Sequence, residues 1–534
     1  MKKELENKEV LAMYDVRGIQ DYIFRSNDLQ EIIGASNLVE DIIITGLQQV
    51  IISSKEWDKN GFLTDWENDN GNEFQENIDI KMQVLFIGGG NAYILFRNGE
   101  ICSQVNKKMA KYMLEHTYSL NLAVAVVEKT DNYKNDYERI HIEMRRIKAR
   151  MPETKPAGVL PFMASDSITG FPLSVYKGRK MIKYEDGTEY LCTESWLKRE
   201  HFPKEENAEK ILDNMVTGKG DNSTLALIHI DGNNMGKRLK EIMEDKEDYP
   251  QAIATMRSIS KNIRDGFGEC FKVCEKYVDE VSDQIRKDRQ GRLIRKIILA
   301  GDDITFICNA QAAIGAVETF LKETCEHTLF WEDQISDEEK LKEIENYKKY
   351  GLSACAGIAY FNSHFPFSDA YRVAESCCSS AKKRAKTLEN RESGTKDGNM
   401  GCFFDYQLCG NIRAENLEEY RRVHYRLTDE EDCMIRRPYY VCSSRLDNIG
   451  DLNGRNAKYD SAILRSNILY FKDEGNLPRS QVKKLRNSYA MGMREVDRYI
   501  TFLESRQRRL PVYNKYYWYD ALEIADITLG KEKK

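Results

Sequence analysis

The chain has 534 residues, of which 31% are charged and 41% hydrophobic, and a formal net charge of −6. That length exceeds a single hydrophobic core and divides into about three or four domains, and the 29 tyrosines and 20 phenylalanines exclude a disordered chain. The negative balance counts against wrapping of long nucleic acid by bulk electrostatics and leaves room for a small anionic ligand at a local basic site.

No apolar run reaches membrane-spanning length, and the start, Met1-Lys2-Lys3-Glu4, has no apolar signal core. A cytoplasmic protein without membrane contact is expected. The thirteen cysteines contain no Cys-x-x-Cys pair and read as buried free thiols. None of the seven histidines is followed by Asp, so a His-Asp metallonuclease has no support.

Residues 9–16 read as a buried strand ending at Asp15, followed by a turn at Arg17-Gly18. Ser36 is the expected cap of a helix running to about Val50. Residues 56–79 are a polar excursion. Val84 to Ile87, Gly88-Gly89-Gly90-Asn91 and Ala92 to Phe96 then form a hairpin pattern. A helix from about Glu100 to Tyr118 and a strand from Leu122 to Val127 complete a β-α-β-β-α-β order. Residues 131–220 show mixed charged helical stretches and prolines, and read as a connecting module.

The order then repeats. Leu225 to Ile230 runs into Asp231, followed by Gly232-Asn233-Asn234-Met235-Gly236 and a helical region to about Lys287. Ile297 to Leu299 and Ile304 to Ile307 flank Ala300-Gly301-Asp302-Asp303, a second hairpin tip. A helix over Ala312 to Cys325, a charged insertion at 331–350, a strand from Leu352 to Tyr360 and a helix from Ser368 follow. Beyond residue 405 the pattern is mainly helical. Its clearest stripe is Val482, Leu485, Tyr489, Met493, Val496, Ile500 and Leu503, read as one helix ended by Pro511.

The halves match in spacing. Asp15 precedes the tip residue Asn91 by 76 positions, and Asp231 precedes Asp303 by 72. The expected fold class is therefore α+β, with two ferredoxin-like βαββαβ domains, a connecting module and a C-terminal helical domain.

In a ferredoxin-like sheet the first strand adjoins the hairpin, which brings Asp231 beside Asp302 and Asp303. These three are the candidate catalytic and metal-holding residues. Hard carboxylate oxygens suit Mg²⁺ or Mn²⁺, and two such ions support in-line attack of a 3′-hydroxyl on an α-phosphate with pyrophosphate leaving. Gly232 and Gly236 let the backbone approach a triphosphate. Lys382 and Lys386, one helical turn apart, are candidates for neutralising phosphates; the plainer alternative is a solvated basic helix end favoured by the dipole. Asn234, Gly301, Gly90 and Asn91 complete the candidate nucleotide-binding set. The plainer alternative for Gly-Asp-Asp alone is a solvated turn.

Asp15-Val16-Arg17-Gly18-Ile19-Gln20-Asp21-Tyr22-Ile23-Phe24, the Gly-Gly-Gly-Asn tip, Asp231 to Gly236, Ala300 to Asp303 and Ser353 to Ile358 together resemble the large palm-domain subunit of type III CRISPR effector complexes. The resemblance covers roughly 1–130 and 220–405. It implies a degenerate palm over 1–130, a connecting module over 131–220, an active palm over 221–405 and a helical domain over 406–534. It also implies synthesis of cyclic (oligo)nucleotide messengers from ATP with Mg²⁺, in antiviral defence. Implied partners are nucleoside triphosphates, with RNA, other effector subunits or a second copy of the chain left open.

The sequence departs from the family in three ways. No nuclease domain is expected before the first palm, Cys192 is the only cysteine in 130–220 where the family carries a zinc site, and Asn233 replaces the second acid of Asp-x-Asp-x-x-Gly while the tip begins with Ala300 rather than Gly. The first two departures point to a reduced or stand-alone relative, and the motif changes are mild because Asp231, Asp302 and Asp303 remain. The competing reading is a non-catalytic scaffold subunit that binds nucleotide or RNA without turnover. Three converging acids favour the enzyme.

Overall fold

The computed structural model describes residues 3–88, 90–151, 159–174, 183–184, 187–188, 190–204, 208–216, 224–285, 291–329, 350–387, 400–410, 417–428, 432–443 and 452–528. Gly89 of the first tip, residues 331–349 of the charged insertion and parts of 131–220 lie outside the described residues. The fold is α+β and groups into two compact units, one of residues 1–208 with 236–264 and one of 209–235 with 265–534.

In the first unit, strands β1 (Val10–Arg17), β2 (Phe62–Leu63), β3 (Met82–Gly88), β4 (Asn91–Phe96) and β5 (Asn121–Glu128) form one sheet in the order β2-β3-β4-β1-β5. The run β5-β1-β4-β3 is the strand order of a βαββαβ unit, and β2 adds a parallel edge beside β3. Central β1 is buried on both faces except at Arg17, which is why its sequence reads as an almost continuous apolar run. A small hairpin of β6 (Lys183–Tyr184) and β7 (Gly187–Thr188) stands apart from this sheet.

Much of what the sequence presents as a connector is built into this unit. Helix Tyr133–Arg150 packs along β5, and the Tyr93 hydroxyl lies 2.9 Å from His141 Nε2. Helix Thr193–Glu200 carries a buried Lys198 whose ammonium reaches Glu194 at 2.7 Å and the Tyr22 carbonyl at 2.6 Å. Removing Glu194 would strand the buried ammonium, and the bond to the Tyr22 carbonyl fixes the helix to the first palm. Residues 236–264 supply Arg257, which donates to the Leu85 carbonyl at 2.6 Å and the Val84 carbonyl at 3.2 Å. The β3/β4 register slips between Val84 and Phe86, and the guanidinium satisfies carbonyls at that irregularity.

Two helix readings change. Ser36 does not start a helix: Asp28 caps helix Leu29–Glu40 by accepting from Gln30 N at 2.7 Å, and Ser36 is buried inside it. A second helix, Ile42–Ser53, follows the break at Asp41.

In the second unit, β8 (Thr224–Gly232), β9 (Ile294–Ala300), β10 (Asp303–Asn309), β11 (Ala354–Asn362), β12 (Cys402–Leu408) and β13 (Tyr439–Val441) form a sheet ordered β13-β12-β11-β8-β10-β9. The run β11-β8-β10-β9 repeats the βαββαβ order of the first sheet. β12 extends it in parallel with β11, and β13 closes the edge antiparallel to β12. The sheet thus draws strands from beyond residue 405.

The C-terminal helices are tied to this edge by buried charge. Arg437 donates to Asp520 at 2.8 Å and Glu523 at 2.7 Å, and Arg421 pairs with Asp405 at 2.7 Å. The stripe read as one helix is two, Arg479–Tyr489 and Met493–Ser505. The chain breaks at Gly492, whose φ of 103° no helix accommodates. Among the described residues no helix is long and apolar enough to cross a membrane.

Candidate active site at the second hairpin tip

The site grows from three neighbouring strands. Asp231, near the end of β8, pairs in register with Asp303, the first residue of β10, and with Cys355 of β11. Gly301, with φ of 65°, takes the first loop position of the two-residue hairpin, where a left-handed residue matches the strand twist. Asp302 takes the second. The Gly232 amide donates to the Asp302 carbonyl at 3.2 Å, which draws the tip onto β8. A side chain at Gly232 would place its Cβ 2.9 Å from Asp302 Oδ2, so glycine leaves this carboxylate its room.

Lys382 enters from helix Phe367–Ala385, which follows β11. That helix lies so close to the strand that a Cβ on Gly357 would sit 1.9 Å from the Ala374 carbonyl oxygen. The approach brings the Lys382 ammonium onto the Asp231 carboxylate and within 3.1 Å of the Gly232 carbonyl. Burial pushes the Lys382 pKa down, but the charge and hydrogen bond of Asp231 outweigh it and hold the amine above its ordinary value. Burial pushes the Asp302 carboxyl up to about 6, and repulsion from Asp231 and Asp303 adds to the rise.

Beneath the tip lies a residue that sequence reasoning missed. His229 Nδ1 is 3.2 Å from Thr305 Oγ1 and 3.5 Å from Asp303 Oδ1, and its ring meets Tyr371 edge-on at 5.5 Å. Burial holds this imidazole below its ordinary pKa, against the pull of Asp231 and Glu375. Its sequence signal was the two-residue spacing from Asp231, which puts both on one face of β8.

The structure therefore brings together Asp231, Asp302, Asp303, Gly232, Gly301 and Lys382. Asn234 follows in a left-handed turn (φ 54°), with its amide 3.5 Å from Met400 Sδ. Asn233 is buried and donates to Ser353 Oγ at 3.1 Å and the Gly401 carbonyl at 2.9 Å, a structural use for the residue that replaces the family's acid. Lys386 is the exposed C-cap of the Lys382 helix.

Gly236, Gly90 and Asn91 belong to the first unit. There Gly236 lines a cleft of about 540 Å³ with Tyr133, Tyr137, His141, Arg145 and Lys240. Asn91 pairs in register with Asp15, as Asp303 does with Asp231. In this copy too a lysine meets the strand-end acid: Lys148, near the end of the helix after β5, pairs with Asp15. Lys148 was not read from the sequence, although the duplication places it where Lys382 stands. The Asp15 side chain is 12% exposed and that of Asp231 is 39% exposed, so only the second acid is open to a ligand.

The donor set suits a divalent cation in kind. Carboxylates stand on adjoining strands, one is raised by burial and then by its neighbours' charge, and glycine leaves space beside it. As the side chains stand, no group of three or more acids, histidines or cysteines among the described residues converges to hold an ion. The Lys382 ammonium supplies the positive charge at Asp231, so a cation would compete with it.

Residues 224–393 match the family model for the second palm domain of Cas10/Cmr2 proteins. The segment that holds the tip is thus similar to the second palm domain of Cas10/Cmr2 proteins. Among solved structures, the Csm1–Csm4 cassette in complex with cA4 resembles it at 12% identity over 97% of this chain and 70% of that one, with a TM-score of 0.42. The cassette in complex with pppApApA gives 13%, 98%, 69% and 0.46. The Csm1–Csm4 subcomplex of the type III-A CRISPR-Csm interference complex gives 12%, 97%, 69% and 0.45. No curated protein matches the chain. The Cas10-like match spans β8 to β11 and the Lys382 helix, and so contains the whole tip site.

Proposed function

We propose that this Cas10-like protein is a metal-dependent nucleotidyltransferase that makes cyclic (oligo)nucleotide messengers from ATP in CRISPR-type antiviral defence. The observation that carries the reading is the Asp231–Asp303 register, with Asp302 beside it on the same hairpin tip. A scaffold gains nothing from three acids held close together, one of them raised by burial and further by its neighbours' charge, whereas phosphoryl transfer needs concentrated negative charge to bind a hard cation. The motif resemblance names ATP as the nucleotide. Nucleoside triphosphates, RNA and other effector subunits, or a second copy, are the proposed partners.

Asp231, Asp302 and Asp303 would hold Mg²⁺ or Mn²⁺, which when bound polarises phosphate oxygens and acidifies a hydroxyl. The chain's own groups do the rest. Lys382, kept charged by Asp231, is placed to exchange its carboxylate partner for phosphate as the 3′-hydroxyl attacks and pyrophosphate leaves. Gly232 lets the nucleotide backbone come close, and His229 supports Asp303 from below.

The Lys382–Asp231 pair also favours a second reading, in which nucleotide binds without turnover because the lysine keeps the acid from metal. Incubation of the protein with ATP and Mg²⁺, with pyrophosphate detection and mass spectrometry of products, separates the two. Turnover that disappears in the Asp302→Ala, Asp303→Ala double variant supports the enzyme. Nucleotide binding with equal, background release in both proteins supports the scaffold.

A further inference from the structure

The chain is acidic as a whole, yet between Arg479 and Lys515 ten lysines and arginines face only three acidic residues. This segment holds helices Arg479–Tyr489 and Met493–Ser505 and the chain that leaves them. The Tyr499 hydroxyl donates to Gln481 Oε1. That bond, with the packing of the two helices on each other, joins the cations of both into one helical pair.

Some of those cations are spoken for. Arg479 pairs with Asp526 at 2.9 Å, Arg498 with Glu495 at 3.3 Å, and Lys515 with Asp497. Lys483, Lys484, Arg506, Arg508 and Arg509 are exposed, and none of them forms an ion pair among the described residues. Arg506 lies 5.4 Å from the ring centre of Phe502, which is 41% exposed and stacks on Tyr499 at 5.7 Å. Arg506 beside an open aromatic face, with further exposed cations on the same helical pair, supplies the two elements a nucleic-acid strand requires, one for bases and one for phosphates.

A solvated basic helix end explains this less well. The helix dipole favours Arg506, Arg508 and Arg509 just beyond a C-terminus, but it gives no support to Lys483 and Lys484 in mid-helix. An acidic protein would use the charges and leave the aromatic pair without a role, and a duplex would hide its base faces from Phe502.

We infer that this helical pair binds single-stranded nucleic acid, with the phosphodiester backbone along Lys483, Lys484, Arg506, Arg508 and Arg509 and a base against Phe502. The inference is independent of turnover at the hairpin tip.

Fluorescence anisotropy of the full chain with labelled mixed-sequence single strands, RNA and DNA in parallel, tests it across a range of salt. Replacing the five cations by glutamine should weaken binding by about tenfold or more and flatten the slope of log affinity against log salt by about 3.5, near 0.7 per lost phosphate contact. Lys483→Gln with Lys484→Gln, a lighter change, should flatten it by about 1.4. Unchanged affinity and slope in both variants would overturn the proposal. So would a wild-type protein that binds neither strand but binds a polyglutamate peptide, which would mark an acidic protein as the occupant.

Discussion

The two βαββαβ copies share a strand order and a lysine that reaches back from the following helix to the acid at the end of the first strand. They differ at two tip positions: Gly90 and Asn91 stand where the other copy has Asp302 and Asp303. In the first copy one acid and one lysine balance, and the pair closes over. In the second, the same lysine faces three acids, one carboxyl is driven up to about 6, and Asp231 stays open. The lysine–acid pair is thus the common ground state of both copies, and the extra carboxylates turn it into a site with charge to spare.

The largest expected effect comes from removing the shared acid on each side. Asp231→Asn should lower pyrophosphate release by about 10²–10³-fold, the usual cost of losing one charge-stabilising group. Asp15→Asn should leave it within about twofold. Comparable losses would mean that both copies take part in the chemistry.

Gly357→Ala should come next. Its Cβ would meet the Ala374 carbonyl oxygen at 1.9 Å, so the helix carrying Lys382 must shift, at about 2–4 kcal/mol. A thermal melt reads this cost, and an unchanged midpoint would show that the helix position is soft.

A smaller effect follows from the Asp302 carboxyl. Its folded-state pKa of about 6 lies above the ordinary aspartate value of 3.8, so the folded protein holds this proton longer than the unfolded one. Stability from this group is full below about pH 4 and is lost as pH rises through 6. Asp302→Asn should therefore stabilise the protein by about 1–2 kcal/mol at pH 8, and the gain should shrink towards zero by pH 4 in paired denaturation curves. A gain that grows towards acid would reverse the assignment.

The smallest effect is expected from rebuilding the lost acid. Asn91→Asp places a second carboxylate opposite Asp15 and should cost about 1 kcal/mol by like-charge repulsion. A gain in stability would show that Lys148 has spare charge.

The carboxylates were legible because a duplicated spacing singled them out, and the strand order followed from one apolar pattern seen twice. Lys148 was not, since a lysine at the end of a charged helix has no mark until its strand partner is known. The grouping of residues 236–264 with the first unit was equally hidden. It depends on Arg257 reaching carbonyls 172 and 173 residues away, a contact with no local signature. The break at Gly492 was missed because the apolar stripe keeps its spacing across it, and β12 and β13 because short strands in a helical stretch leave little periodicity. The basic face at 479–515 was masked by the net charge of the whole chain.

Of the two copies, the second alone has carboxylate charge to spare. A Mn²⁺ titration followed by electron paramagnetic resonance, on the wild type, Asp303→Asn and Asp15→Asn, tests it without needing turnover. The account predicts binding in the wild type that Asp15→Asn retains and Asp303→Asn weakens by tenfold or more. Binding lost equally in both variants, or retained in both, would contradict it.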